Sequence, residues 1–225
     1  MRLGVWNCRR KRVLEYSQCD ILALTETFLR GEERLNSQGY VFFGHNRTAF
    51  HKNATCGSAG VGVLVKESIL ETFDIFIIDS KIEFKSKLSE LSLLLAVCYL
   101  PPAESCRALG SELYFQNLLK QVYNYQKLGR DRRVFICGDL NSRIGQNSDY
   151  VEGVDVVRPR NIVDFYENRQ GDKFIEFLCD VNFAILNGRF NDSEFTYITP
   201  SGRSVVDYMC LPYEEMEYIQ QFRIV

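Results

Sequence analysis

The apolar residues of this chain arrive in short, nearly continuous runs. DILALTETF (20–28), YVFFG (40–44), GVGVLVK (60–66), FDIFIID (73–79), LSLLLAVCYL (91–100) and VFICGD (134–139) each stop within a strand's length at glycine, proline or a charge. Runs with so little alternation suit strands covered on both faces. RLGVWN (2–7) reads as a strand before them, and NFAILNG (182–188), FTYITP (195–200) and SVVDYMCLP (204–212) as strands after them, with FRIV (222–225) as a last one. Helical spacing is rarer. Phe115, Leu118, Leu119 and Val122 keep it across 111–126, and Phe174, Phe177 and Leu178 keep it across 171–180. CRRKRVLEYSQ (8–18) predicts a brief helix with Val13, Leu14 and Tyr16 inward. HNRTAFHKNATCGSAG (45–60) and the polar stretch from Asn141 to about Gly171 read as loops. Many strands, few helices and no repeat or linker predict one α+β domain over 1–225, with sheet packed on sheet.

With 225 residues, 46% hydrophobic and 25% charged, the chain has apolar material for a core of that size. A formal charge of −2 gives no global basic field, which argues against a module that holds nucleic acid by electrostatics alone. A local basic rim on an enzyme stays compatible with it. The eight cysteines form no CxxC pair and mostly lie in apolar runs, which excludes a zinc ribbon or disulfide scaffold and fits a reducing compartment. MRLGVWNCRRKR lacks the apolar stretch of a signal peptide, and no run of 18 apolar residues occurs, so an intracellular protein of nucleus or cytoplasm, without a membrane partner, is expected.

Polar residues gather where the strands end: Asn7, Glu26, Tyr99, Asp139 and Asn141, with Asp207 inside SVVDYM. Singly, Asn7 reads as a helix cap, Tyr99 as core and Asp139–Asn141 as an Asx turn. Glu26 and Asp207 resist such readings, because a carboxylate in an apolar strand costs on the order of several kcal/mol unless paired or metal-bound. Their recurrence at strand ends favours one shared site. The residue types suit phosphodiester cleavage. Glu26 and Asn7 offer hard oxygens to Mg2+, Asp139 can activate water, and Asn141 and Tyr99 can donate to phosphate oxygens as charge develops. Asp207 needs a partner to act on, usually a histidine.

WN, LTET, GVGVLV, CYLPP, GDLN and SVVDY, in that order along nearly the whole chain, resemble the endonuclease/exonuclease/phosphatase superfamily, which includes apurinic endonucleases and sphingomyelinases. YLPP, GDLNSRIG, ILNGR and G-x-SVVDY together are most similar to the endonuclease domain of non-LTR retrotransposons. The resemblance implies a four-layer α/β sandwich of two packed mixed β-sheets flanked by helices. It implies Asn7 and Glu26 at Mg2+ or Mn2+, Tyr99 and Asn141 on the phosphate, Asp139 activating water and Asp207 orienting a histidine. The implied reaction nicks one DNA strand to leave a 3′-hydroxyl, and the implied parent chain continues into a reverse transcriptase.

Departures from that pattern shape the expectation. The family closes on Ser-Asp-His beyond the DY motif, and these residues end at Val225 before it, so the last strand is expected to be missing. The two histidines, His45 and His51, stand in the loop before Gly60 and match nothing in the motif. The spacing from Asn7 to Glu26 is also tight for the family. Weak or absent nicking by this chain alone is therefore expected. A non-catalytic relative acting by protein or nucleic-acid binding is the alternative, and hydrolysis of a lipid or inositol phosphate a less supported third. Arg9, Arg10, Lys11 and Arg12 read as a solvated helix face, Arg143 as a backbone-phosphate contact, and loops 44–59 and 145–170 as carriers of sequence preference.

Overall fold

In the computed structural model, residues 1–8, 18–46, 59–78, 81–103, 105, 110–190 and 194–224 are described. The expected helix over 8–18, the basic run Arg9–Arg12, His51 and most of loop 44–59 lie outside them. The described residues form two compact units, Met1–Tyr99 with Asp131–Arg133, and Leu100–Arg130 with Val134–Val225. The class is the expected α+β sandwich built on mixed sheets with few helices.

The first unit holds β1 (Leu3–Asn7), β2 (Ile21–Thr25), β3 (Tyr40–His45), β4 (Val61–Lys66), β5 (Phe73–Ile78), β6 (Lys81–Ser86) and β7 (Ser92–Tyr99). One sheet runs β1-β2-β4-β3, with β1 parallel to β2 and the other pairs antiparallel. Every residue of β2 is buried, as its unbroken apolar run requires. Alternation sends Leu22, Leu24 and Leu64 to one face, where they pack with Cys8 and Phe42 and with Trp6, Cys19 and Tyr40. The opposite face carries Ala23, Val63 and Val65, and β2 and β4 there meet β7, so sheet packs on sheet. β5, β6 and β7 pair antiparallel.

The second unit holds α1 (Ser111–Gln126), most of β8 (Arg132–Asp139), α2 (Arg169–Val181), β9 (Phe183–Ile185), β10 (Tyr197–Thr199), β11 (Gly202–Ser204) and β12 (Asp207–Pro212). β12 runs antiparallel to both β8 and β9, and β10 and β11 make a separate hairpin. α1 and α2 pack through Phe115, whose ring centroid lies 5.7 Å from that of Phe174 and 5.6 Å from that of Phe177. Phe174 in turn meets Tyr208 of β12, ring centroids 5.2 Å apart, so the helix pair is bound to the sheet by aromatic contact.

β6 was absent from the strands read off the sequence. Ile82 and Phe84 alternate there with Lys81 and Glu83, and all four are buried, Glu83 ion-paired with Arg132. FRIV does not form a strand: Phe222–Ile224 pair with no ladder among the described residues, and without a partner a strand has no hydrogen bonds to hold it. The described cysteines carry free thiols, four of them buried, as their apolar settings predict. None of the described helices is long and apolar enough to cross a membrane.

Candidate active site

In the first unit, parallel pairing carries Asn7 to the end of β1 beside Thr25, the last residue of β2. The main chain then leaves the sheet sharply. Glu26 and Phe28 both take positive φ, 53° and 54°. The ladder is prolonged past the strand by Cys8 N donating to Thr25 O at 3.0 Å, and Thr27 N and Phe28 N donate to Gly60 O and Ala59 O. Glu26 therefore sits just past β2 rather than inside it, half-buried, with its side chain placed by a left-handed turn. The Tyr99 hydroxyl, on the last residue of β7, donates to Glu26 Oε1 at 2.9 Å. The hydroxyl proton expected to meet a phosphate oxygen is thus directed at the Glu26 carboxylate.

In the second unit, Asp139 ends β8 and is 5% exposed. The chain turns back on it: Asn141, at φ 46°, donates its backbone N–H to Asp139 Oδ1 at 3.0 Å. The Asn141 amide nitrogen donates to Leu100 O at 2.9 Å, and Leu100 N donates to Asp139 O at 2.9 Å. So the Asx turn anticipated for GDLN exists, and it is also the frame that aims Asp139. Antiparallel pairing then sets Asp207 directly across from Asp139. Asp207 is the first residue of β12, not an interior one. Its backbone is clamped from both sides. Thr196 Oγ1 accepts from Val206 N and Asp207 N at 3.0 and 3.1 Å, while Asn187 Nδ2 donates to Asp207 O at 3.0 Å.

Arg143 stands apart from these carboxylates in its contacts. Its Nε donates to Asp164 Oδ2 at 2.9 Å and its Nη2 to Asp164 Oδ1, while its guanidinium lies 4.6 Å from the Tyr166 ring centroid. Burial pushes the Asp164 carboxyl up, but hydrogen bonds from Arg143 and from the Val205 and Tyr166 amides outweigh it and hold the pKa below the ordinary carboxylate value. Because Asp164 Oδ2 also accepts from Val205 N at 3.0 Å, one carboxylate ties the GDLNSR segment to the residues leading into β12.

Asp164, Asn168, Asn187 and Thr196 escaped the sequence reading. Only Asn168 left a local signal, as a cap residue before an amphipathic helix. Its Oδ1 accepts from Gly171 N at 2.7 Å and Arg143 N at 3.1 Å, and its Nδ2 donates to Asn141 O at 3.0 Å. The start of α2 is thereby fastened to the Asp139–Asn141 turn and the residues after it. Gly171 makes this possible: a Cβ there would lie 2.0 Å from the Arg143 carbonyl oxygen. Gly171→Ala is expected to lower stability by about 1–3 kcal/mol, the usual cost of overpacking. Urea unfolding checks this, and an unchanged midpoint would mean the two segments are not in contact.

Among the described residues, no group of three or more His, Cys, Asp or Glu side chains is arranged to hold a metal by itself. Asn7 and Glu26 offer one amide and one carboxylate oxygen at neighbouring strand ends. Few, hard oxygen donors fit Mg2+, which dehydrates reluctantly and keeps several waters. His45, the described histidine, is exposed at the end of β3.

Solved structures of the same fold exist. The endonuclease domain of TRAS1, a telomere-specific non-LTR retrotransposon, is 16% identical, with a TM-score of 0.57 over 96% of this chain and 87% of that one. The 3′ phosphatase NExo from Neisseria, solved with a product DNA hairpin, is 14% identical, with a TM-score of 0.62 over 94% and 86%. The AP endonuclease LMAP from Leishmania major is 13% identical, with a TM-score of 0.64 over 93% and 77%. At such identities the likeness is one of fold. No curated protein matches the chain in sequence. The model of the Endonuclease/Exonuclease/phosphatase family matches residues 4–215, from β1 through β12 and the turn after it, and the chain belongs to that family.

Proposed function

We propose that the chain is a magnesium-dependent phosphodiesterase that nicks DNA in the manner of a retrotransposon endonuclease. The observation that carries the reading is the Asp139 turn: a nearly buried carboxylate at a strand end, aimed by the Asn141 amide and faced in register by Asp207. A general base must be held in place before its basicity matters, and this one is. Asp139 would take the proton of the attacking water. Asn141 has a second amide proton for a phosphate oxygen, beyond the one given to Leu100 O. Tyr99 orients Glu26. Enzymes of this family generally depend on a divalent ion, and Glu26 and Asn7 would hold it. When bound, the ion would draw charge from the phosphate oxygens. Asp207, across the ladder from Asp139, would orient a histidine.

The retrotransposon and AP endonucleases of like fold make DNA the substrate class to test first. Supercoiled plasmid is incubated with excess protein and Mg2+, with Mn2+, or with chelator. The expected result is open circle that appears only with a divalent ion and whose 3′ ends a polymerase extends. No nicking with either ion would overturn the nuclease reading and leave a binding role for the fold.

A further inference from the structure

We infer that Phe165 and Tyr166 form a stacking platform for an unpaired nucleobase next to the Asn141 end of the site. The inference rests on DNA being the substrate proposed above. Two large aromatic side chains stand side by side in sequence on the loop before α2, 62% and 71% exposed. Residues of this kind usually hide most of their area, and each exposed one forgoes that stabilisation.

The platform is fixed rather than loosely attached. Tyr166 N donates to Asp164 Oδ1 at 3.2 Å, and Asp164, 7% exposed, is held in turn by Val205 N and the Arg143 guanidinium. A short antiparallel bridge joins Ile144 to Glu167, the residue after Tyr166. Asn168, one residue further on, is bonded to both Asn141 and Arg143. A ring presented from so short and so anchored a segment loses little freedom when a ligand lies on it.

Its electrostatics point to a nucleotide. The Arg143 guanidinium lies 4.6 Å from the centroid of the Tyr166 ring. Asp164 takes its Nε and Nη2, and Nη1 has no protein acceptor among the described residues. With the guanidinium over one face of the ring and its Nη1 meeting no acceptor among the described residues, the opposite face can take a base while the cation meets the phosphate attached to it. The platform also lies where such a nucleotide would be: Arg143 is two residues past Asn141, the proposed phosphate contact. A base inside a duplex keeps both faces covered by its neighbours, so only an unpaired one can use the ring.

The test is fluorescence anisotropy of the whole chain, without divalent ion so that nothing is cut. One labelled probe is a blunt duplex, and the other is the same duplex with a single-stranded tail carrying 2-aminopurine. The parent is expected to prefer the tailed probe and to quench the 2-aminopurine. Tyr166→Ala should weaken tailed binding about 10-fold, the usual scale of one lost base stack, with an unchanged log–log salt slope. Tyr166→Trp should restore it, and Arg143→Ala should reduce the salt slope by about one. Both aromatic positions are exposed, so these variants are expected to keep the parent's thermal midpoint. If Phe165→Ala combined with Tyr166→Ala binds both probes as the parent does, the platform is overturned while the nuclease reading stands. If the parent binds neither probe, the DNA reading falls and the platform falls with it.

Discussion

Asp139→Asn is expected to lower metal-dependent DNA cleavage by about 10²–10⁴-fold while leaving the thermal midpoint close to the parent's. The two halves of that outcome have one cause. Asn fills the same volume and its side-chain oxygen can still accept the Asn141 N–H, now 3.0 Å from Asp139 Oδ1, so the turn keeps its shape. What is lost is the basic lone pair. Asp139 and Asp207 occupy directly opposed positions of an antiparallel ladder, which puts their side chains on one face of the sheet. The check is a single-turnover nicking assay beside a thermal melt. Cleavage at the parental rate would remove Asp139 from the mechanism. Cleavage lost together with the folded state would show a structural carboxylate instead.

The sequence made Asp139 legible because its strand and turn are local: an apolar run, then a polar residue, then Asn two places on. β2, β4, β7 and β8 were legible for the same reason, each being covered on both faces and so apolar without interruption. β6 was not. Lys81 and Glu83 look like surface residues in sequence, and what satisfies Glu83 is Arg132, 49 positions away. Glu26 was placed one residue too far inside its strand, because the turn that ends β2 is a left-handed backbone at a residue type that seldom adopts it. FRIV failed in the other direction. Its apolar residues suit a strand, but a strand exists only through its neighbours, and composition does not supply them. The groups that brace the site (Asp164, Asn187 and Thr196) were invisible because each acts on main chain that only the fold brings near.

Asp149→Ala should strongly destabilise the second unit, lowering unfolding free energy by about 3–5 kcal/mol, the usual cost of orphaning a buried ion pair. In sequence Asp149 is one more acid in a polar loop. In the fold it is fully buried: Arg189 Nη1 and Nη2 reach its two carboxylate oxygens at 2.9 Å each, Arg160 Nε lies at 3.3 Å, and Ile185 N donates at 2.7 Å. Arg189 also donates to Ile185 O and, at 2.7 Å, to Arg158 O, so this cluster fastens loop 145–168 to β9. Removing the carboxylate leaves two guanidinium groups in place with their shared counter-charge gone. Burial alone would raise the Asp149 pKa, yet the hydrogen bonds and charges of Arg189 and Arg160 outweigh it and the pKa is lowered. A carboxyl depressed in the folded state stabilises fully above its unfolded value of about 3.9 and loses that contribution as pH falls through the folded pKa. The gap in stability between parent and Asp149→Ala should therefore be constant near neutral pH and narrow as pH falls below about 4. Urea unfolding across pH measures it, with Arg189→Met made alone and together with Asp149→Ala. The double change should cost less than the sum of the two, since each single change already breaks the pair. Strict additivity, or a gap that does not move with pH, would mean that the loop is held by packing and that the charges at its centre contribute nothing to it.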